Sequence, residues 1–121
     1  MAEGLISAAA NTLLTSLSGT YPYIQLHNAA PGAAGTTDVA DETDRVLATW
    51  GTASGGSITT TADMTWEGVA ATEDYTHFSA WTLASAGTCG FTGTITANPV
   101  TSGDDFRIAA GAISATFSIA S

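Results

Sequence analysis

The sequence predicts a mainly β protein: an antiparallel β-sandwich of jelly-roll-like type with one N-terminal α-helix. Three observations carry this reading. From Tyr21 onward apolar residues recur with period two, on β-branched and aromatic residues. Turn-forming groups interrupt that pattern at short intervals: Gly51 to Gly56, Ser85 to Gly87, Asn98-Pro99 and Ser102-Gly103-Asp104. Before Tyr21 the apolar period is helical instead.

Residues 3–18, EGLISAAANTLLTSLS, form the expected helix. Ile6, Ala9, Ala10, Leu13, Leu14 and Leu17 recur at helical spacing, with Ser7, Asn11, Thr15 and Ser18 on the other side. Glu3 lies where the helix dipole favours an anion, and Gly19 is placed to end the helix as a left-handed cap. The stripe of Ile6, Leu13, Leu14 and Leu17 is expected to be buried, either on the chain's own sheet or as an arm on a neighbouring subunit. Residues 1–20 are thus a helical cover or arm, and 21–121 a single sandwich domain. Strands are expected at 22–27, 45–50, 56–61, 63–69, 75–84, 89–96, 105–109 and 112–119. In the last, Ile113, Ala115, Phe117 and Ile119 alternate with Ser114, Thr116 and Ser118. In YTHFSAWTL, Tyr75, His77, Ser79, Trp81 and Leu83 oppose Thr76, Phe78, Ala80 and Thr82. Both faces carry an aromatic residue, so this strand is expected to be covered on both sides. Between the first two strands runs a long loop, 28–44, containing Asp38, Asp41, Glu42 and Asp44.

A chain of 121 residues supports one core, and a domain of this size buries about two-thirds of the surface its unfolded chain exposes. There is no lysine; Arg45 and Arg107 face eleven carboxylates, for a formal net charge of -9. Charged residues are only 11% of the chain, against about 25% in an average domain. Such a surface lacks the long flexible side chains that resist ordered contact, and it suits packing against neighbours. Two arginines give no basic footprint for nucleic acid or for an anionic membrane. No apolar run approaches the roughly 18 residues of a membrane span, and the N-terminus lacks a signal peptide's cationic start and apolar segment. Cys89 is the single cysteine, which excludes an intrachain disulfide and a cysteine-based zinc site.

The catalytic and ligand constellations are weak. No G-x-S-x-G occurs. His77 lies mid-strand, where one hydrogen bond satisfies it, and His27 is placed to tie the start of the loop through a ring-to-backbone hydrogen bond. Asp41, Glu42 and Asp44, then Glu73 and Asp74, then Asp104 and Asp105 sit on loops, with nothing aiming two of them at one point. Calcium is the ion an oxygen-rich loop suits, but DVADETD lacks the EF-hand spacing and its glycine. The expected cofactor content is none, calcium in the loop being without support. GTASGG and PGAAG have no lysine or following helix to cradle phosphate. Trp50, Trp66 and Trp81 can stack on a sugar, but their strand positions place them in the core. The candidate contact residues are Arg45 and Arg107, with Asp41, Asp44, Asp104 and Asp105 as acids able to pair with them inside the chain or across a subunit boundary.

YIQLHNAAPGAAG, VLATWGTASGG, THFSAWTLASAGTCGFTGTI and SGDDFRIAAGAISATFS, in that order, resemble a family of small virion proteins of tailed bacteriophages, known as tail-fibre-like, minor tail or minor capsid proteins, many from actinobacterial phages. The resemblance covers nearly the whole chain from Tyr21. The sequence departs at Ser79-Ala80-Trp81-Thr82, where Gly-Leu-Trp-Asp is common, and at Ser102-Gly103-Asp104, in place of Ala-Gly-Asp. No catalytic position is implied. The resemblance implies a structural virion component. The first expectation is a capsid decoration or cement protein on the capsid surface. Its partners are then the major capsid protein and copies of itself in a symmetric homo-oligomer, a trimer being favoured. The alternative is a minor tail, fibre or baseplate component with tail proteins as partners and a receptor- or carbohydrate-binding role. The 28–44 loop is expected to be a contact arm or rim, with its acids solvated or meeting a neighbour's arginines.

Overall fold

The computed structural model describes residues 4–116. The elements in chain order are α1 (Ser7–Thr20), β1 (Tyr23–His27), β2 (Val46–Leu47), β3 (Ser57–Thr59), β4 (Met64–Trp66), β5 (Glu73–Trp81), β6 (Cys89–Val100), β7 (Phe106–Ile108) and β8 (Ser114–Thr116). Every strand pairing is antiparallel. One layer is a four-stranded sheet in the order β2-β1-β5-β6; two ribbons, β3-β8 and β4-β7, complete the fold. Ile24, Leu26, Phe78 and Ala80 of the sheet share one core with Met64, Trp66, Phe106 and Ile108 of the β4-β7 ribbon. Tyr75 meets Phe106 edge-on at 4.9 Å, a favoured aromatic geometry. The fold is mostly β with one helix near the N-terminus, as the period-two pattern predicts.

The helix differs from expectation in its ends and in its buried face. Ile6 is its N-cap, in extended conformation and without a side-chain cap bond; Glu3 lies outside the described residues. Gly19 does not terminate it. The helix runs through Gly19 to Thr20, and the Tyr21 N–H still donates to the Leu17 carbonyl at 3.0 Å. The stop comes from Pro22, which disfavours helical geometry at the residue before it. The face turned inward is Ala10, Leu14 and Ser18, while Ile6 is 67% and Leu13 47% exposed. The helix packs against β3, and just before that strand the Gly56 N–H donates to Asn11 Oδ1 at 3.0 Å.

Two strand details also depart from the sequence pattern. The β5-β6 register shifts between Tyr75, opposite Asn98, and His77, opposite Thr94, so the extra residues bulge from β6; beside this irregularity Tyr75 lies in the core with Phe78 and Ala80, although simple alternation opposes them. β6 does not turn at Asn98-Pro99 but continues to Val100, with Pro99 opposite Asp74. The described residues give β6 no partner on its other side, and an edge strand tolerates the missing proline N–H. At the C-terminus Ile113 is buried, Ala115 half-buried, and Ser114 and Thr116 exposed; Phe117 and Ile119 lie outside the described residues. Among the described residues no helix is long and apolar enough to cross a membrane.

Candidate functional site

β1 is buried on both faces. Ile24 and Leu26 face the core, and Gln25 and His27 are buried on the opposite side. The 28–44 loop provides that second cover. It folds back along β1, with Ala40 N–H donating to the Leu26 carbonyl and Asn28 N–H to the Asp38 carbonyl, both at 3.1 Å. Gly35, at φ +73, sits against Cys89 and Ser79, leaving no room for a Cβ. The loop is therefore packed onto the outer face of the sheet rather than projecting from it.

Beneath it lies a directional chain of hydrogen bonds. The Trp81 indole N–H donates to Ser79 Oγ at 2.6 Å. Ser79 Oγ lies 2.7 Å from His27 Nε2, and His27 Nδ1 lies 2.9 Å from the Thr37 carbonyl. A carbonyl only accepts, so Nδ1 carries the proton; burial favours the neutral ring, and in that form Nε2 accepts from the serine hydroxyl. Burial pushes the His27 pKa below its usual value, against the opposing hydrogen bonds. This is the ring-to-backbone tie expected of His27. A serine and a histidine at this separation are also the components of nucleophilic catalysis. Here both are 0% exposed, and the hydroxyl is enclosed between indole and imidazole, so no substrate carbonyl reaches it. His77 is half-buried and bonds Thr76 Oγ1 at 2.9 Å.

Arg45 closes the other end of this face. Its guanidinium lies over the Trp81 ring, 4.1 Å from the centroid. It donates to Gln25 Oε1 at 3.2 Å and to the carbonyls of Leu83 and Ala86 at 2.9 and 2.6 Å. Within the described chain it thus holds a turn and an aromatic ring, not Asp41 or Asp44. Arg107 pairs with Asp63 at 3.4 Å on open surface, not with Asp104 or Asp105. Those two acids cap turns: Asp104 accepts from the Thr101 N–H and Asp105 from the Gly68 N–H.

Two acids do structural work that the sequence left unmarked. Glu73 accepts from the Asp41 N–H at 2.7 Å, the Glu42 N–H at 3.2 Å and the Asn28 amide at 3.0 Å. Burial pushes its pKa up, but these donors outweigh it, and the carboxyl lies below its usual value. Glu42 is buried and accepts from the Asp44 and Ala70 N–H groups. Together they clamp the C-terminal end of the loop, while the Asp41 and Asp44 side chains remain exposed. Only Glu42 of this group escapes the expectation of solvated acids completely. Among the described residues no group of three His, Cys, Asp or Glu side chains is placed to hold a metal ion. Among the described residues the buried Tyr75 hydroxyl faces Glu73 without a well-formed hydrogen bond; burial first, then the Glu73, Glu42 and Asp41 charges, pushes its pKa up.

A cleft of about 500 Å³ opens beside this clamp, lined by Glu42, Asp44, Arg45, Trp66 and Glu67 among others. Trp66 is buried and Trp81 lies under Arg45, so neither presents an open face for stacking on a sugar. Trp50 is half-buried and tilted against Phe91 at 6.3 Å. The arrangement ties the loop to the sheet and leaves the Asp41 and Asp44 carboxylates exposed. A family model described as podophage GP4 fiber I protein gp80 matches residues 2–116. No curated protein matches the chain.

Proposed function

The chain belongs to the podophage GP4 fiber I protein gp80 family, a family of phage virion structural proteins, and from that premise we propose that it is a building unit of a phage tail fibre. The observation that carries this reading is the match over residues 2–116 to a family described as fibre. It supports the tail over the capsid-decoration role expected first from the sequence. The composition fits either place, because both need flat, weakly charged contact surfaces.

In this reading the chain contributes contacts rather than catalysis. The 28–44 loop serves as a preformed rim: His27, Glu73 and Glu42 fix its backbone before any partner arrives. Little conformational entropy is then lost on docking. Exposed Asp41 and Asp44 stand on that fixed backbone, ready to meet basic groups of tail proteins or of a cell-surface receptor. Immunogold labelling of intact particles tests the proposal. Label at the tail supports it, and label spread over the shell overturns it in favour of capsid decoration.

A further inference from the structure

We propose that the outer edge of β6 is a strand-pairing interface through which a second copy of this chain docks. Among the described residues β6 pairs with β5 alone. It is 12 residues long, where strands commonly have roughly five or six. At about 3.4 Å per residue it offers an edge of up to roughly 40 Å, with a regular stretch at 91–94 between irregularities at 89–91 and 94–98. Free edges are ordinarily blunted by charge or covered, because their unpaired N–H and C=O groups template association. CGFTGTITANPV contains no charged residue, and Pro99 interrupts it only near its end. The surrounding run, residues 75–103, contains no carboxylate in a chain of net charge -9. Copies of so acidic a chain repel each other across most faces; along β6 they meet without bringing carboxylates together.

A second observation points to the same edge. The two layers of the fold are not sealed there. Phe91, Gly93 and Ile95 face inward yet are only half-buried, whereas Phe78 and Ala80 on the neighbouring strand are buried. Two grooves lie between β6 and the ribbons. One, of about 330 Å³, is lined by Ile95, Phe106 and Ile108; the other, of about 460 Å³, by Leu14, Phe91 and Ile113. An added strand supplies the missing ladder and covers these apolar side chains at once. The occupant is a second copy because two identical strands pair antiparallel about a two-fold axis and close the contact. Residues 117–121 span at most about 17 Å, less than half of the edge. A self-paired edge gives a dimer, in place of the trimer expected from the sequence.

The test needs only the purified full chain, and it is independent of where the protein sits on the phage. Sedimentation equilibrium is expected to give twice the 12.1 kDa monomer, with slow amide exchange over residues 91–96. Thr92 and Thr94 are exposed on β6. Thr92→Asp with Thr94→Asp places like charges across the pairing and should weaken association about tenfold or more, with faster exchange at those amides of 91–96 that do not bond β5 and an unchanged near-ultraviolet spectrum. Should that variant fail to fold, Thr94→Lys alone is read in the same way. A monomer or trimer of the unmodified chain, or a dimer indifferent to these changes, overturns the proposal. So does a monomer protected at 91–96 that loses the protection on deletion of 117–121, which would assign the edge to the chain's own end.

Discussion

Replacing Ser79 with alanine removes one oxygen from the centre of the outer-face network. It leaves two buried groups without partners: the Trp81 indole N–H, now 2.6 Å from Ser79 Oγ, and His27 Nε2, now 2.7 Å from it. Each stranded group costs about 1–3 kcal/mol, so Ser79→Ala should lower stability by roughly 2–6 kcal/mol. An exposed serine such as Ser114 provides the control, expected within about 0.5 kcal/mol. Urea unfolding followed by tryptophan fluorescence reads the effect as a lower midpoint at unchanged slope. Amide exchange should speed up at Thr37 and Val39, because the histidine that holds the loop loses its own support. Adding Trp81→Phe removes one of the stranded groups. The double variant should therefore be more stable than the summed single effects predict, by about 0.5 kcal/mol or more. A loss below about 0.5 kcal/mol, with additive single effects and unchanged exchange, would refute the reasoning.

Leu14→Ala should cost about 2–4 kcal/mol, since Leu14 is 1% exposed, whereas Leu13→Asp on the open face should change the melting midpoint little; calorimetry compares them. Arg45→Met should cost roughly 2 kcal/mol through its charged hydrogen bonds and ring contact and loosen residues 82–88 in hydrogen exchange. Arg107→Met, at an exposed ion pair, should cost below about 1 kcal/mol. Stability should also fall on acidification in two steps. The His27 pKa is depressed in the fold, so its contribution is complete above the unfolded value of about 6.5 and is lost as pH falls from there through the folded value. The Glu73 pKa is likewise depressed, and its share disappears below about 4.3. Denaturant midpoints between pH 7 and 3 check both, and His27→Gln and Glu73→Gln should flatten the upper and lower steps respectively.

Which strands form was legible in the sequence because the signal is local. Each strand carries its own alternation and its own turn residues, and all eight expected segments contain strand in the structure. The errors occur where one residue type supports two outcomes. Gly19 fits a left-handed cap, but the following Pro22 decides the helix end. Leu13 and Leu14 both satisfy helical spacing, and the choice rests on which face of the helix, that of Ala10 and Ser18 as it turns out, is turned inward, which periodicity does not encode. Pro99 reads as a turn unless the strand is known to lie at an edge. At the site, His27 was legible because it ends a strand where the loop begins. Glu73 was not, since its partners at Asn28, Asp41 and Glu42 lie more than thirty positions away. Arg45 stands out by its charge, but its partners are not the acids beside it in sequence; Trp81, Leu83 and Ala86 lie far along the chain.

The central claim is that this chain builds a tail fibre, and its copy number per virion tests that most directly. Fibres are few on a particle, whereas a shell protein repeats over the whole capsid. Quantitative mass spectrometry of purified virions, with the major capsid protein as internal reference, gives the ratio in one measurement. A fibre unit should be present at a small fraction of the capsid protein. A ratio approaching one copy per capsid subunit would contradict the account and return the chain to the capsid surface.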